Sequence, residues 1–292
     1  MDFLITGANG QVGRELQDKL ELKNYSFTAL GRDKLDITDI NSVASVLNEC
    51  RPKLVINTAA YTAVDKAEDD RDTCFNINSN GVRNLAKISK KIDAKLVHIS
   101  TDYVFDGSLN RPLCENDVPN PLNVYGASKL EGEKALKEEL DKNYLIIRTS
   151  SVHGQYGANF VKTMIKLLNE KNELKVVDDQ VMSPTHAGFL AETIIELVEK
   201  GADAEIYNVS NSGAISWYEF TLKIREYLAN NNPKLNEVKI NPCISSEFPR
   251  PASRPKFSAF NLEKTEEFLG HKLQSWQDGL KSHLTDLNYM VE

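Results

Sequence analysis

The feature that most constrains this chain is a glycine turn within its first 13 residues. The apolar run 3–5 leads into Gly7-Ala8-Asn9-Gly10-Gln11-Val12-Gly13, and Val12, Leu16 and Leu20 then recur at helical spacing. This order predicts a strand, a tight turn and an amphipathic helix. Glycines three residues apart let the backbone approach a pyrophosphate, and the N-terminus of the new helix directs its N–H groups toward it.

The turn therefore predicts a dinucleotide-binding site, with a merely structural turn as the alternative. Its G-x-x-G-x-x-G spacing favours the short-chain dehydrogenase/reductase type over the G-x-G-x-x-G of many other dehydrogenases. The residues of the turn that we expect to contact the cofactor are Gly7, Asn9, Gly10, Gln11, Val12 and Gly13.

Strands and helices are predicted to alternate from residue 2 to residue 148. Apolar runs that predict strands occupy residues 26–30, 54–57, 95–99 and 145–148, and helical patterns begin near residues 10, 76 and 123. Such alternation is typical of a parallel sheet with helices on both faces. The expected fold class is α/β, with a Rossmann-type doubly wound parallel sheet and a smaller C-terminal substrate lobe.

After residue 150 the alternation becomes less regular. Helices are predicted over residues 159–168, 187–199 and 217–227, and strands over 175–177 and 205–209, whereas 241–255 is rich in proline and arginine. We expect residues 1–150 to form the dinucleotide-binding domain, with about 187–210 returning to it. Residues 151–186 and 211–292 are expected to form the substrate-binding lobe.

The end of the second predicted strand bears on the choice of cofactor. An acidic side chain there favours the ribose hydroxyl of NADH, whereas an arginine favours the 2′-phosphate of NADPH. Arg32 therefore favours NADPH, and the neighbouring Asp33 leaves NADH open. Residues 35–38 are expected to form a short edge segment from which Asp36 reaches the adenine. The loop beneath the middle of the cofactor is expected to be Ala59, Ala60 and Tyr61.

Tyr125 and Lys129 stand four residues apart at the start of a predicted helix, so their side chains share one face. A tyrosine beside a fixed positive charge can donate a proton to an oxygen that is becoming an alkoxide. A chance pair on a solvated helix is the alternative. Thr101 and Asp102 follow a buried strand, at the edge of the sheet where ligands bind in open α/β folds.

Composition limits the partners of the protein. A formal net charge of −7 argues against binding to a long nucleic acid. No apolar run approaches the roughly 18 residues that would span a bilayer, and the four cysteines show neither the spacing of a zinc site nor a disulfide framework. We expect a cytoplasmic protein without a metal centre, and a homodimer is compatible with these features.

Three longer motifs carry a resemblance to a known family. They are Gly7-x-x-Gly10-x-x-Gly13, Thr101-Asp102-Tyr103-Val104-Phe105-Asp106-Gly107 and Pro121-Leu122-Asn123-Val124-Tyr125-Gly126-x-x-Lys129-x-x-Gly132-Glu133. With them the chain resembles the dTDP-4-dehydrorhamnose reductases, which are extended short-chain dehydrogenase/reductases. The resemblance covers nearly the whole chain, because residues 57–68, 159–160, 179–185 and 250–255 also look like segments of this family.

The resemblance implies that a nicotinamide cofactor reduces the C4 keto group of a nucleotide-linked 6-deoxy sugar. Tyr125 would protonate the developing alkoxide. Lys129 would lower the pKa of Tyr125 and hold the nicotinamide ribose. Thr101 would bind the substrate carbonyl. The other residues implied to bind the sugar nucleotide are Asp102, Asn159 and Arg254.

The chain departs from the family pattern at two places. Thr149-Ser150-Ser151-Val152-His153 stands where the family often has a tryptophan and a tyrosine, so aromatic contacts with the sugar are expected to be missing. His153 is either a substitute polar contact or a structural histidine. Met182 replaces a small residue.

Other functions remain open on the sequence. A dehydratase is disfavoured because Tyr103 stands where those enzymes commonly carry a second carboxylate. An epimerase can use the same tyrosine and lysine. A non-catalytic NADP-binding subunit resembling the regulatory subunit of methionine adenosyltransferase can retain them as well.

Overall fold

A computed structural model describes residues 2–290 of the protein. Its strands are β1 (Asp2–Thr6), β2 (Ser26–Leu30), β3 (Leu54–Asn57), β4 (Lys95–Thr101), β5 (Tyr144–Thr149), β6 (Val152–His153), β7 (Glu173–Val177), β8 (Val181–Met182), β9 (Thr185–His186), β10 (Glu205–Asn208), β11 (Ile215–Ser216) and β12 (Lys239–Cys243). Its helices are α1 (Gln11–Leu22), α2 (Ile40–Cys50), α3 (Arg71–Phe75), α4 (Gly81–Ile92), α5 (Val124–Glu139), α6 (Phe160–Glu170), α7 (Ala187–Glu199), α8 (Trp217–Ala229), α9 (Glu263–Leu269) and α10 (Trp276–Asp286).

The main sheet has six parallel strands in the order β10-β5-β4-β3-β1-β2. The residues of β3 and β5 are all buried, because both faces of a parallel sheet are covered by crossover helices. The expected doubly wound α/β sheet is confirmed. The chain passes from β1 outward to β2 and then returns to the other side of β1 as β3, so the direction of winding reverses between β1 and β3.

Each face of the sheet has its own apolar core. Helices α1 and α7 pack together over one face, where Leu16, Leu20 and Ile194 are buried. Helices α2, α4 and α5 cover the other face, with Leu47 and Leu85 among the buried side chains.

A third apolar core lies outside the sheet and is built from α6, α8, α10 and the β7–β12 pair. All of its fully buried members fall within residues 151–186 or 211–292. Strand β10 pairs with β5 and so lies in the main sheet. We therefore propose the division of the chain into two lobes that the sequence suggested.

Two local expectations differ from the structure, and one strand was not predicted. Residues 35–38 form no strand; Leu35 and Ile37 instead turn inward and are buried in the core beneath α2 and α4. The helix expected from residue 76 begins at Arg71 and passes through a π-helical turn at Asn76–Asn80. Residues 239–243 form β12, which pairs with β7 rather than with the main sheet. Among residues 2–290, no helix combines the length and apolarity needed to cross a membrane.

Candidate active site

The loops after β1 and β3 meet where the winding of the sheet reverses. Ligands of open α/β sheets bind in the crevice outside the carboxyl ends of the strands at such a point. The glycine turn lies at the end of β1, and Thr58, Ala59 and Ala60 follow β3. Two neighbouring cavities of about 590 Å³ and about 330 Å³ share Gly10, Thr58 and Ala60 in their linings. Together they form one cleft along the carboxyl edge of the sheet.

The glycine turn forms a cradle that larger side chains would fill. Gly7 has a φ of +65°, and a Cβ there would lie 2.6 Å from the Ala59 nitrogen. A Cβ at Gly13 would lie 2.6 Å from the Gly7 oxygen. Gly10 is the N-cap of α1, so free N–H groups of the helix terminus face the cleft. These features fit a pyrophosphate at the helix N-terminus.

We expect Gly7→Ala to destabilise the protein by about 2–3 kcal/mol, because it combines left-handed strain with a backbone clash. Gly201→Ala is the matched control, since Gly201 has a φ of +81° but nothing within 4 Å of the added Cβ. Urea unfolding measures both variants. Equal losses of unfolding free energy at the two positions would show that the close approach to Ala59 contributes nothing.

The smaller cavity is suited to the adenosine end of a cofactor. Arg32 lines it with a side chain that is 76% exposed and only loosely paired, its Nε lying 3.9 Å from Asp36 Oδ2. Asp36 also lines the cavity, but its Oδ1 accepts hydrogen bonds from the backbone and hydroxyl of Thr38, which hold the pKa of the carboxyl below its usual range. Among the residues described, Arg32 is thus the cation that lines this part of the cleft.

The larger cavity brings the three predicted catalytic residues together. Thr101, Tyr125 and Lys129 all line it. Helix α5 begins at the predicted place because Asn123 caps it, accepting from the Gly126 N–H at 2.8 Å. Gly126 has no room for a side chain, since a Cβ there would meet the carbonyl oxygen of Tyr103. The first turn of α5 is therefore fixed against the loop that follows β4.

The Tyr125 phenol is held in its protonated form. Burial raises the pKa of Tyr125 above its ordinary value, and a hydrogen bond with Thr101 opposes that shift, so the lowering of this pKa that was expected from Lys129 is not found in the cofactor-free protein. The ring packs edge-on against Tyr103 with centroids 5.8 Å apart. A tyrosine that stays protonated at neutral pH is competent to donate a proton to a developing alkoxide.

Lys129 follows Tyr125 by about one turn of α5 and is almost fully buried. Its Nζ donates to the Ile99 carbonyl at 2.5 Å and lies 3.2 Å from His98 Nε2. Burial lowers the pKa of Lys129 to about 8, although Glu133 opposes that shift. A lysine of this kind changes its charge readily when its surroundings change.

Thr101 and Asp102 form one hydrogen-bonded unit at the end of β4. Thr101 Oγ1 donates to Asp102 Oδ1 at 3.0 Å and accepts from the Tyr103 N–H. Ser150 Oγ donates to Asp102 Oδ2 at 2.8 Å. Burial raises the pKa of Asp102. Both carboxyl oxygens of Asp102 are therefore engaged by protein hydroxyls, and its role as a substrate ligand stays a prediction.

Most of the predicted cofactor residues line the cleft. Gly10, Gln11, Val12 and Ala60 line the larger cavity, and Gly7, Asn9, Arg32, Asp36 and Ala59 line the smaller one. The predicted residues that line neither cavity are Gly13, Tyr61, Asn159 and Arg254.

Tyr61, Asn159 and Arg254, which line neither cavity, make hydrogen bonds or ion pairs with other side chains. Tyr61 donates from its phenol to Asp70 at 3.1 Å. Asn159 caps α6 and donates to Gln11 Oε1 at 2.9 Å. Arg254 forms a bidentate ion pair with Asp65. Arg254 is also hydrogen-bonded to Tyr103. Their contacts support the walls of the cleft, and their direct contact with a ligand stays a prediction.

Sequence reasoning missed an aromatic residue of the site. Trp217, at the start of α8, lines the larger cavity and packs against Phe160 with ring centroids 4.4 Å apart. The capping box of Ser216 and Glu219 marks the start of this helix in the sequence, but only the fold brings it to the cleft. An aromatic wall is thus present although residues 149–153 lack the tryptophan and tyrosine that the family often has there.

Of the two departures from the family pattern, the first contributes Thr149, Ser151 and Val152 to the lining of the larger cavity, whereas His153 and Met182 line neither cavity. His153 is buried, with its Nδ1 3.0 Å from His283 Nδ1, and it does not line either cavity of the cleft. Of the two interpretations given for His153, these contacts favour a structural histidine over a polar contact with the sugar. Met182 is buried in the core of the second lobe and pairs with Ile215 across β8 and β11.

Comparisons with known proteins agree with this geometry. The family model described as the RmlD substrate binding domain matches residues 1–289. The dTDP-4-dehydrorhamnose reductase of Aggregatibacter actinomycetemcomitans is 38% identical, covering 96% of this chain and 97% of the relative. The spore coat polysaccharide biosynthesis protein SpsK of Bacillus subtilis is 39% identical, covering 97% and 96%.

A solved structure is similar over its whole length. The dTDP-4-dehydrorhamnose reductase of Bacillus anthracis, in complex with NADP, superimposes with a TM-score of 0.91 at 42% identity, covering 98% of this chain and 99% of that one.

Proposed function

Because the chain belongs to the RmlD substrate binding domain family, that of the dTDP-4-dehydrorhamnose reductases, we propose that it is an NADPH-dependent oxidoreductase. Its reaction is the reduction of the C4 keto group of dTDP-4-dehydrorhamnose to give dTDP-rhamnose. The observation that carries the proposal is the meeting of Thr101, Tyr125 and Lys129 in a cavity that continues into the glycine cradle.

The residues of the cleft fit an NADP molecule. The glycine cradle would hold the pyrophosphate, Arg32 would pair with the 2′-phosphate, and Lys129 would contact the nicotinamide ribose. The cofactor, when bound, supplies the hydride that reduces the keto carbon. The protein supplies the proton, and the two together convert the carbonyl into an alcohol.

Tyr125 donates its phenolic proton to the carbonyl oxygen as charge develops there. Thr101 would bind the same oxygen by turning its O–H away from Asp102 Oδ1, while the Tyr103 N–H continues to donate to Thr101 Oγ1. Trp217 provides an apolar wall for the sugar nucleotide and excludes water from that side of the cavity. This division of roles follows the usual logic of general acid catalysis in a partly closed site.

An assay of NADPH and NADH consumption over a panel of nucleotide-linked keto sugars tests the proposal. We expect oxidation of NADPH with dTDP-4-dehydrorhamnose and formation of a C4 hydroxyl. A sugar that changes configuration without net consumption of cofactor would instead identify an epimerase. Tight NADPH binding without turnover of any keto sugar would favour the non-catalytic binding subunit.

We further propose a cytoplasmic location, which suits the use of NADPH and the four free thiols. The net charge of −7 disfavours nucleic acid as a partner. A homodimer stays a prediction, which sedimentation at micromolar protein concentration tests.

A further inference from the structure

We propose that His98 is a positioning residue that holds Lys129 as an uncharged amine in the cofactor-free protein, so that Lys129 takes up a proton when the cofactor binds. The inference rests on the proposed function only in requiring that NADP binds in the cleft. It explains why a histidine lies buried in the middle of the sheet directly behind the site.

A line of four polar side chains crosses the sheet from β1 to α5. Thr6 Oγ1 donates to Asn57 Oδ1 at 2.6 Å, Asn57 Nδ2 lies 3.0 Å from His98 Nδ1, and His98 Nε2 lies 3.2 Å from Lys129 Nζ. All four are buried. Buried polar groups of this kind must satisfy one another, because water does not reach them.

The backbone fixes the orientation of the Asn57 amide. The Ala59 N–H donates to Asn57 Oδ1 at 3.2 Å, so the oxygen must point toward Ala59 and the NH₂ group toward His98. Reversing the amide would place two donors against each other at Ala59 and leave a backbone N–H without an acceptor. His98 Nδ1 therefore accepts a hydrogen bond.

A neutral imidazole carries one proton, so an accepting Nδ1 places that proton on Nε2. Burial lowers the pKa of His98 well below its usual value, which keeps the ring neutral. The Nε2–H then points at Lys129 Nζ. An ammonium offers no lone pair to this donor, whereas a neutral amine offers one and can still donate to the Ile99 carbonyl.

The other titratable groups near Lys129 do not require its side chain to be a charged ammonium. Glu133, on the same helix, forms two hydrogen bonds with Arg148 and so already has a cationic partner. Cys74 on α3 is a thiol whose pKa is raised by burial, and the Tyr125 phenol is likewise protonated. The pKa of Lys129 is lowered to about 8 by burial, and a donor from His98 lowers it further by bonding only to the neutral form.

Cofactor binding reverses this preference. The ribose hydroxyls of the cofactor offer acceptors to an ammonium, and hydrogen bonds to the charged form raise its pKa. A group whose pKa is low in the free protein and higher in the complex binds a proton on complex formation at any pH between the two values. Near pH 8, proton uptake on the order of half a proton per cofactor is expected.

The tautomer of His98 in the free wild-type protein is the first test. Nitrogen-15 NMR of selectively labelled histidine distinguishes a protonated ring nitrogen from an unprotonated one. We expect the proton on Nε2. A proton on Nδ1 would overturn the inference, because His98 would then accept from a charged Lys129.

Proton uptake on binding is the second test. Titration calorimetry with NADP⁺ at pH 8, in buffers of different ionisation enthalpy, gives the number of protons bound. We expect the uptake of wild type to fall by at least half in His98→Asn, whose amide oxygen can accept from an ammonium. His271→Asn, an exposed position, should keep the wild-type value.

Wild-type binding without proton uptake, or equal uptake in His98→Asn, would contradict the role of His98. Absence of NADP⁺ binding would instead contradict the proposed function, and the tautomer of the free protein would still decide the inference. The measurements on the wild type also decide it if His98→Asn fails to fold.

Discussion

Tyr125→Phe is expected to lower kcat for keto-sugar reduction by at least about 100-fold, because general acid catalysis typically contributes about 10²- to 10⁴-fold. The substitution removes the proton donor and keeps the ring that packs against Tyr103. The affinity for NADP should change little. Steady-state NADPH oxidation measures kcat, and titration of the cofactor measures its dissociation constant.

Tyr144→Phe is the matched control for this prediction. Tyr144 is a buried tyrosine of β5 whose hydroxyl lies outside both cavities of the cleft. We expect its kcat to stay close to that of the wild type. If Tyr125→Phe retained more than about a tenth of wild-type turnover, another group would have to be the proton donor.

Glu133→Gln is expected to destabilise the protein by about 3–5 kcal/mol, because it leaves the buried Arg148 charge without its partner. Glu133 accepts from Arg148 Nε at 2.9 Å and Nη2 at 2.7 Å, and from Ser100 Oγ at 2.5 Å. The Glu133 and Arg148 side chains are only 3% and 2% exposed. Urea unfolding gives the free energy of unfolding.

The same helix supplies the control for this prediction. Glu131 pairs with Lys134 at 3.0 Å, but both side chains are about half exposed. Exposed pairs contribute about 0–1 kcal/mol, so Glu131→Gln should change stability little. A loss in Glu133→Gln no larger than that in Glu131→Gln would show that the buried pair adds nothing to stability.

The sequence was sufficient for those parts of the fold that local patterns determine. Short apolar runs predicted β3 and β5 because a strand buried on both faces must be apolar throughout. The glycine turn predicted the strand-turn-helix unit β1–α1 because left-handed φ and close backbone approach both require glycine, as Gly7 shows. The helical pattern that begins near residue 123 predicted α5, and in the structure the Asn123 side chain caps this helix.

Contacts between distant segments lay beyond the reach of local pattern. Trp217 is separated by 88 residues from Lys129 in the chain, yet both line the larger cavity. The role of His98 depends on Asn57 of β3, whose side-chain amide contacts the imidazole ring. From the sequence, residues 95–99 were predicted only to form a buried strand. The difference at residues 35–38 also results from contacts between distant segments, because Leu35 and Ile37 are buried in the core beneath α2 and do not form a sheet edge.

The place of β10 in the main sheet has a consequence for synthesis on the ribosome. Strand β5 is buried throughout and is bounded on its outer side by β10, which is made about 60 residues later. Until residue 208 has emerged, the nascent chain presents β5 as an unpaired apolar edge, which is the kind of surface that recruits other strands. The growing protein therefore passes through an aggregation-prone interval, in which a chaperone that covers exposed sheet edges would protect it.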